Sequence, residues 1–130
     1  MNRDEIRVAT GAVATGAPAE VTVGSAVPQN FRRFIYRIKF INGGVGANQL
    51  LLGKRENGAV GTTAIDTIQA AVTNEVITDP DDLKEESAPL YTVDGPPGNV
   101  PVAVAFNSLL RAYTTAGVGI FTYWYVDAPA

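Results

Sequence analysis

The longest period-2 alternation of the chain runs from Phe31 to Asn42, FRRFIYRIKFIN, and it holds four of the ten basic residues. Because successive side chains of a strand point to opposite faces, this pattern predicts one long strand. Four apolar or aromatic side chains would share its first face: Phe34, Tyr36, Ile38 and Phe40. Three basic side chains and two isoleucines would share its second face: Arg33, Arg37, Lys39, Ile35 and Ile41. We interpret the first face as part of a core and the second as a surface that meets something polar or acidic.

Glycine-containing turns predict two hairpins. Asn42-Gly43-Gly44 ends the long strand with residues that tolerate positive φ, which is typical of tight hairpin turns. The sequence therefore predicts that the long strand forms a hairpin with a strand at 49–56. A second hairpin would join a strand at 109–115, through Ala116-Gly117, to a strand at 118–127. Both faces of that last strand are apolar or aromatic, as expected of a strand that is central in its sheet or lies against a second surface.

The segment between the two hairpins mixes helix and strand signals. Aliphatic residues recur there at helical spacing, although many residues are β-branched: Ile65, Ile68, Val72 and Val76 carry the spacing. We predict a short helix at 64–71 and a strand at 75–78. Asp79-Pro80 matches a helix start, so a second short helix is predicted at 80–86. Strands are predicted after it at 90–93 and 101–107.

Short strands separated by Gly, Pro and Asn turns are typical of an all-β, antiparallel β-sandwich, of which the jelly roll is one form. We expect this fold at 28–130, with one or two short helices. Residues 9–28 consist almost entirely of Ala, Gly, Val, Thr and Pro, with Glu20 as their one charge. Two interpretations stay open: an extended arm that lies along another surface, or a flexible loop followed by a short strand at 20–23. We therefore divide the chain into an N-terminal arm with a short strand at 1–27 and the β-sandwich domain.

Composition removes several classes of function. The chain has no histidine and no cysteine, so a Ser-His-Asp triad, a cysteine nucleophile and a thiolate metal site are impossible. The net charge of −3 argues against a nucleic-acid binder. We also expect no secretory signal, because the N-terminus is charged, and no membrane span, because the apolar runs are too short. The sequence predicts a protein that is not an enzyme and that binds no cofactor or metal.

The remaining candidate residues are charged or aromatic. The basic strand face, represented by Arg33, Arg37 and Lys39, could contact an acidic surface on a neighbouring copy. The acidic surface that we consider is the cluster containing Asp79, Asp81 and Asp82. The same acids could instead form a solvated helix start, or hold calcium, although they lack the glycine and ligand spacing of an EF-hand loop. Four aromatic side chains could form a platform for sugar stacking: Tyr113, Tyr123, Trp124 and Tyr125.

Three features occur together in this sequence. It has no recognisable set of catalytic residues, it is predicted to form antiparallel strands, and it has an arm of small residues beside a long strand with a charged face. In this combination the chain resembles the small β-sandwich or jelly-roll decoration (cement) proteins of tailed-phage capsids. The resemblance lies in architecture and composition, so it assigns no residue roles. It implies a structural virion protein on the capsid exterior that forms a homo-oligomer, with a trimer favoured, and that contacts the major capsid protein or another lattice protein. The alternative function is a carbohydrate-binding β-sandwich module.

Overall fold

A computed structural model of the chain describes residues 6–15, 21–43, 48–55, 63–70, 75–78, 88–97 and 109–129. These ranges contain the strands β1 (Arg7–Val13), β2 (Val21–Thr22), β3 (Phe31–Asn42), β4 (Asn48–Arg55), β5 (Thr63–Ala70), β6 (Glu75–Thr78), β7 (Tyr91–Asp94), β8 (Leu109–Thr114) and β9 (Gly119–Pro129). The described residues form no helix. The described residues therefore contain no helix that is long and apolar enough to cross a membrane.

The strands form two antiparallel sheets whose order is that of a jelly roll. In the five-stranded sheet, β9 lies between β1 and β3, and β6 and β7 both pair with the other edge of β3. The four-stranded sheet has the order β2-β8-β4-β5. With β7 set aside, early strands pair with late ones in nested fashion: β1 with β9, β2 with β8, β3 with β6 and β4 with β5. This nesting is the double Greek key of a jelly roll, and the predicted all-β antiparallel fold is confirmed.

Both predicted hairpins are wrong, because each of these turns changes sheets. The long strand β3 lies in the five-stranded sheet, whereas the next strand, β4, lies in the four-stranded sheet. The turn from β8 to β9 crosses in the opposite direction. Asn-Gly and Ala-Gly turns reverse the chain, but they do not require that the two strands become hydrogen-bonded neighbours. In a jelly roll those neighbours come from distant parts of the chain.

A β-bulge at Tyr36 exchanges the two faces of β3. The register against β9 shifts by one residue between Ile35 and Arg37, so Tyr36 is an extra residue on β3. Side chains point inward at odd positions before the bulge and at even positions after it. The predicted alternation is therefore wrong for the first half of the strand. Arg33 points into the core, on the opposite face from Arg37 and Lys39.

One hydrophobic core draws on both sheets, which is consistent with a β-sandwich. The five-stranded sheet contributes buried aromatic and aliphatic side chains: Ile35, Ile38, Phe40, Val93, Phe121, Tyr123 and Tyr125. The four-stranded sheet contributes smaller aliphatic side chains: Leu50, Leu52, Leu110 and Ala112. The ring centroids of Phe121 and Tyr123 lie 5.7 Å apart, so aromatic contacts run along the inward side of β9. This strand is central, as its two apolar faces predict.

The segment predicted as a helix at 64–71 is the strand β5, so that prediction is wrong. Its β-branched residues outweigh its helical spacing once β4 offers a pairing edge. The strand predicted at 75–78 is confirmed as β6. The helix predicted at 80–86 and the strand predicted at 101–107 lie outside the described residues.

The small-residue segment near the N-terminus contributes strands to both sheets. Residues 7–13 form β1 at the edge of the five-stranded sheet, and residues 21–22 form β2 beside β8. Four side chains of this part of the chain belong to the core: Ala9, Val13, Val23 and Val27. In its described ranges, the predicted arm therefore packs on this chain's own sheets. Gly11 faces the side chain of Val23, from which a Cβ at this position would lie 3.4 Å away.

Candidate interaction surface

The five-stranded sheet presents a regular outer face, which we define as the side chains of β1, β9 and β3 that point away from the four-stranded sheet. The strand register arranges these side chains in cross-strand rows. Read from β1 through β9 to β3, the rows contain Ala12 with Ile120 and Ile41; Thr10 with Thr122 and Lys39; and Val8 with Trp124 and Arg37. Phe34 and Val126 form the next row, beyond the end of β1, and Val126 is only 5% exposed there. Side chains in such rows touch their neighbours and form a continuous surface.

Large apolar side chains are exposed on this outer face. Val8 is 55% exposed and Ile120 is 46% exposed. Val118, in the turn just before β9, is 59% exposed. Single exposed apolar residues are common, but here two of them lie on one sheet face. Val8 shares a row with Trp124, and Ile120 shares a row with Ile41, on either side of the row that contains Lys39. Apolar groups grouped in this way favour a contact surface.

The charged side chains of the outer face are basic. The guanidinium carbon of Arg37 lies 4.7 Å from the centroid of the Trp124 ring, a cation–π contact that stabilises the indole on the sheet. Lys39 lies in the next row. At the start of β3, Arg32 forms an ion pair with Asp94 of β7. Arg37 and Lys39 are therefore on one surface as predicted, and their role as interface residues stays a prediction.

Arg33 does not belong to this surface, because only 1% of it is exposed. Its Nε and Nη2 atoms donate to the two carboxylate oxygens of Asp127, at 2.8 and 2.9 Å. Its Nη1 and Nη2 atoms also donate to the carbonyl and hydroxyl oxygens of Ser25, at 2.6 and 3.2 Å. A contact of 3.3 Å with the Tyr123 hydroxyl completes the set. The guanidinium also lies 4.0 Å from the Tyr125 ring centroid, so Arg33 holds the chain before β3 onto the sheet.

The electrostatics of this buried site favour a charged Arg33 and a neutral Tyr123. Burial alone would lower the pKa of Arg33, but the hydrogen bond to Asp127, together with the electrostatic effects of Tyr123 and Asp127, outweighs burial and raises it. Burial also raises the pKa of Tyr123, against the opposing effect of Arg33. The Tyr123 hydroxyl donates to the carbonyl oxygen of Val23 at 2.7 Å. The polar groups of this cluster thus bond to one another inside the protein.

A second buried polar cluster joins the two sheet-changing turns. The side-chain amide of Asn48 is fully buried and donates to Asn42 Oδ1 at 3.2 Å and to the Gly117 carbonyl at 3.3 Å. Its own Oδ1 accepts from the backbone N–H of Ala116 at 2.9 Å. The hydroxyl of Thr114 donates to the same Gly117 carbonyl. One asparagine therefore fixes both crossings at this end of the sandwich.

The predicted sugar-stacking platform does not exist as one surface. Tyr123 is completely buried and Tyr125 is 7% exposed, since both point into the core. Trp124 lies on the outer face of the five-stranded sheet. Tyr113 is opposite Leu51 in the four-stranded sheet, between two buried neighbours on β8, and so points outward there. The two aromatic side chains that remain outside the core are thus on different sheets.

The predicted acidic partners Asp79, Asp81 and Asp82 lie outside the described residues, and their contact with the basic side chains stays a prediction. Over the ranges that the structure describes, no three acidic side chains gather in a way that could hold a metal ion. The sequence itself contains no histidine or cysteine. The buried polar groups around Arg33 and Asn48 bond within the protein.

Sequence reasoning missed Val8 and Ile120 as surface residues. The alternation at 118–127 indicates two apolar faces, but it does not say which of them meets the core. The signal that separates the faces is the register of β9 against its two neighbours, which depends on strands far away in the chain. Comparisons with protein-family models, curated proteins and solved structures found no match to this chain.

Proposed function

We propose that this chain is a structural virion protein of the decoration (cement) type, which self-associates and stabilises a capsid lattice from the capsid exterior. Its partners would be further copies and the major capsid protein or another lattice protein, and it would use no catalysis, cofactor, nucleic acid or membrane. The observation that carries this proposal is the outer face of the five-stranded sheet. Exposed Val8 and Ile120 there accompany Trp124, and such apolar and aromatic groups are typical of the centre of protein interfaces.

The fold gives general support. Jelly rolls occur in viral capsid proteins, and they also occur in lectins and cupins. Because one fold hosts many functions, this likeness is an analogy and only agrees with the proposal. The buried clusters around Arg33 and Asn48 agree with it as well. Their polar groups bond within the protein, so they stiffen a scaffold that presents a surface.

The basic side chains of the outer face suggest how a neighbour would be oriented. Lys39 and Arg37 would meet the acidic cluster with Asp79, Asp81 and Asp82 on the next copy, where charge complementarity sets the orientation more than the affinity. We expect Lys39→Glu to weaken self-association, and Lys39→Glu mixed with Asp82→Lys to restore it. Light scattering at low and high salt measures both. If the mixed variants associate no better than either alone, this pairing is wrong.

The proposed function as a whole is tested by asking whether the protein co-purifies with a capsid particle. Virions or capsids from the source that encodes the chain are banded on a density gradient, and the bands are analysed by mass spectrometry. We expect the chain in the capsid band in a fixed ratio to the major lattice protein. Recovery only in slowly sedimenting fractions, together with a monomeric mass for the purified chain, would refute the proposal.

The carbohydrate-binding alternative now depends on Trp124 or Tyr113, because Tyr123 and Tyr125 are in the core. Trp124 is the chain's one tryptophan, so its fluorescence reports directly on stacking by a sugar. Titration with a panel of oligosaccharides is the simplest test. A saturable change that Trp124→Ala abolishes would favour the glycan function over the structural one.

A further inference from the structure

The strand β1 is an edge that is open to pairing within the described part of the structure. It pairs with β9 over residues 7–13 in an uninterrupted register. The other described edges are shorter or irregular. β2 has two residues, β6 and β7 have four each, and the pairing of β5 with β4 is interrupted by a register shift. An edge strand directs alternate N–H and C=O groups outward and so offers a template for another strand.

The sequence of β1, RVATGAV, has few of the features that natural proteins use to protect an edge. It contains no proline and no lysine, and its one charged residue, Arg7, is at its first position. Protected edges usually carry inward charges, prolines or bulges, or are very short. Val8 on this strand is more than half exposed. A regular, weakly protected edge with an exposed valine is what inter-subunit strand pairing requires.

We infer that two copies of this chain pair through β1, antiparallel about a two-fold axis at Thr10, and so join their five-stranded sheets into one. About that axis the strand is complementary to itself. Thr10 meets Thr10 of the second copy, Val8 meets Ala12 of the second copy, and Ala9 meets Gly11. No like charges face each other, and opposed threonines are favourable cross-strand neighbours.

This pairing also unites the apolar groups of the two outer faces. In each protomer the row of Ile120 ends at Ala12 and the row of Trp124 ends at Val8. The pairing places these rows end to end, so Ile120 and Ala12 of one copy continue into Val8 and Trp124 of the other. The small side chain of Ala12 leaves room beside Val8. The axis itself is crossed by threonines, since Thr10 already contacts Thr122 at 3.1 Å.

The inference rests on the proposed self-association and specifies its geometry. A closed contact of this kind uses the same patch on both copies and yields dimers or even-numbered assemblies. It therefore departs from the trimer that the resemblance implies. The strand contact alone is small, so we expect a weak dimer in solution that the high local concentration of a lattice would reinforce.

Cysteine cross-linking tests the register directly, because the chain has no native cysteine. Thr10→Cys should form a disulfide-linked dimer under mild oxidation, since opposed residues in antiparallel strands lie within disulfide reach. Val8→Cys alone should not form one, because its two copies would be about 13 Å apart along the strands. Val8→Cys mixed with Ala12→Cys should cross-link. Ala116→Cys, at an exposed turn position, gives the background rate.

Charged substitutions at the two-fold axis test the same contact without a covalent cross-link. Thr10 is exposed, so Thr10→Lys and Thr10→Glu should fold normally, which circular dichroism checks. Each variant alone would place like charges opposite each other and should weaken the dimer about tenfold or more by sedimentation. The mixture should associate at least as well as the original protein. Val8→Lys should weaken the dimer in the same way, whereas Val118→Lys, at an equally exposed valine outside β1, should not.

The outcomes separate this inference from the proposed function. An original protein that associates, but whose Thr10→Cys variant cross-links no faster than Ala116→Cys, overturns the β1 contact and leaves self-association standing. A chain that is found in the capsid band but is trimeric overturns it equally. A chain that stays monomeric and is absent from particles refutes the proposed function, and the β1 inference is then overturned with it.

Discussion

The pair of Arg33 and Asp127 is expected to be the most costly ion pair to break in the described part of the molecule. The perturbation is Asp127→Asn, which keeps the side-chain shape but removes the charge and one of two acceptors. Arg33 is 1% exposed and Asp127 is 18% exposed at the side chain. The remaining partners of Arg33, at Ser25 and Tyr123, carry no compensating negative charge. The substitution would therefore leave a buried cation without its counter-ion.

The magnitude follows from burial. Removing one partner of a buried pair costs about 3–5 kcal/mol, and each charge-assisted hydrogen bond contributes about 1.5–3 kcal/mol. Because water reaches part of Asp127, we expect a loss near the lower end, about 3 kcal/mol in the free energy of unfolding. Urea unfolding monitored by Trp124 fluorescence measures this loss, provided that the m-value is unchanged.

The chain offers a matched control one residue away. Arg32 and Asp94 form the same kind of pair on the same strand, but their side chains are 44% and 40% exposed. Asp94→Asn should therefore cost less than about 1 kcal/mol, and the small effect should shrink further in high salt. Equal losses for Asp127→Asn and Asp94→Asn would refute the reasoning that burial decides the strength of these pairs.

Three further predictions concern the turns and the core. Gly95→Ala should cost about 2–3 kcal/mol of stability, because its Cβ would lie 2.1 Å from the Pro28 carbonyl oxygen. Gly11→Ala, whose Cβ would have its nearest contact at 3.4 Å, should be nearly neutral. Thermal unfolding compares the two variants, and equal effects would contradict the steric reason. Asn48→Ala should cost about 3 kcal/mol, because it removes two hydrogen bonds donated by a fully buried amide and leaves the N–H of Ala116 without its acceptor. A loss below about 1 kcal/mol in urea unfolding would contradict this role. Since the pKa of Tyr123 is raised in the folded state, its contribution to stability is complete below about pH 10 and is lost as the pH rises through the folded pKa. Tyr123→Phe should therefore make the free energy of unfolding fall less steeply above about pH 10, by up to about 1.4 kcal/mol per pH unit. An unchanged slope would show that this tyrosine is not involved.

The fold class could be predicted from the sequence because strand patterns and turn residues act locally. Strand pairing could not, because it depends on which distant segments meet. Asn42-Gly43 correctly marks the end of β3, yet the neighbours of β3 are β9, β6 and β7. The most pronounced local hairpin signal therefore gives the wrong partner when a jelly roll directs the chain to the other sheet.

The candidate surface was only partly predictable for a similar reason. A single bulge at Tyr36 inverts the faces of β3, and bulges leave little trace in a period-2 pattern. Arg37 and Lys39 lie on the surface as the alternation indicates, while Arg33 is a core residue with its own counter-ion on β9. Asp127 is 94 residues from Arg33 along the chain, so the sequence has no local sign that it neutralises Arg33.

The position of β9 between β1 and β3 also has a consequence for biosynthesis. β9 follows β1 and β3 along the chain, and it pairs with both of them. Until residues 119–129 are made, β1 and β3 have no shared partner, and their apolar side chains stay uncovered. This sheet can therefore be completed only after β9 has been made, at the slow rates of long-range pairing. A nascent or truncated chain that lacks β9 should accumulate as an aggregation-prone species that needs chaperones, and not as a smaller stable domain.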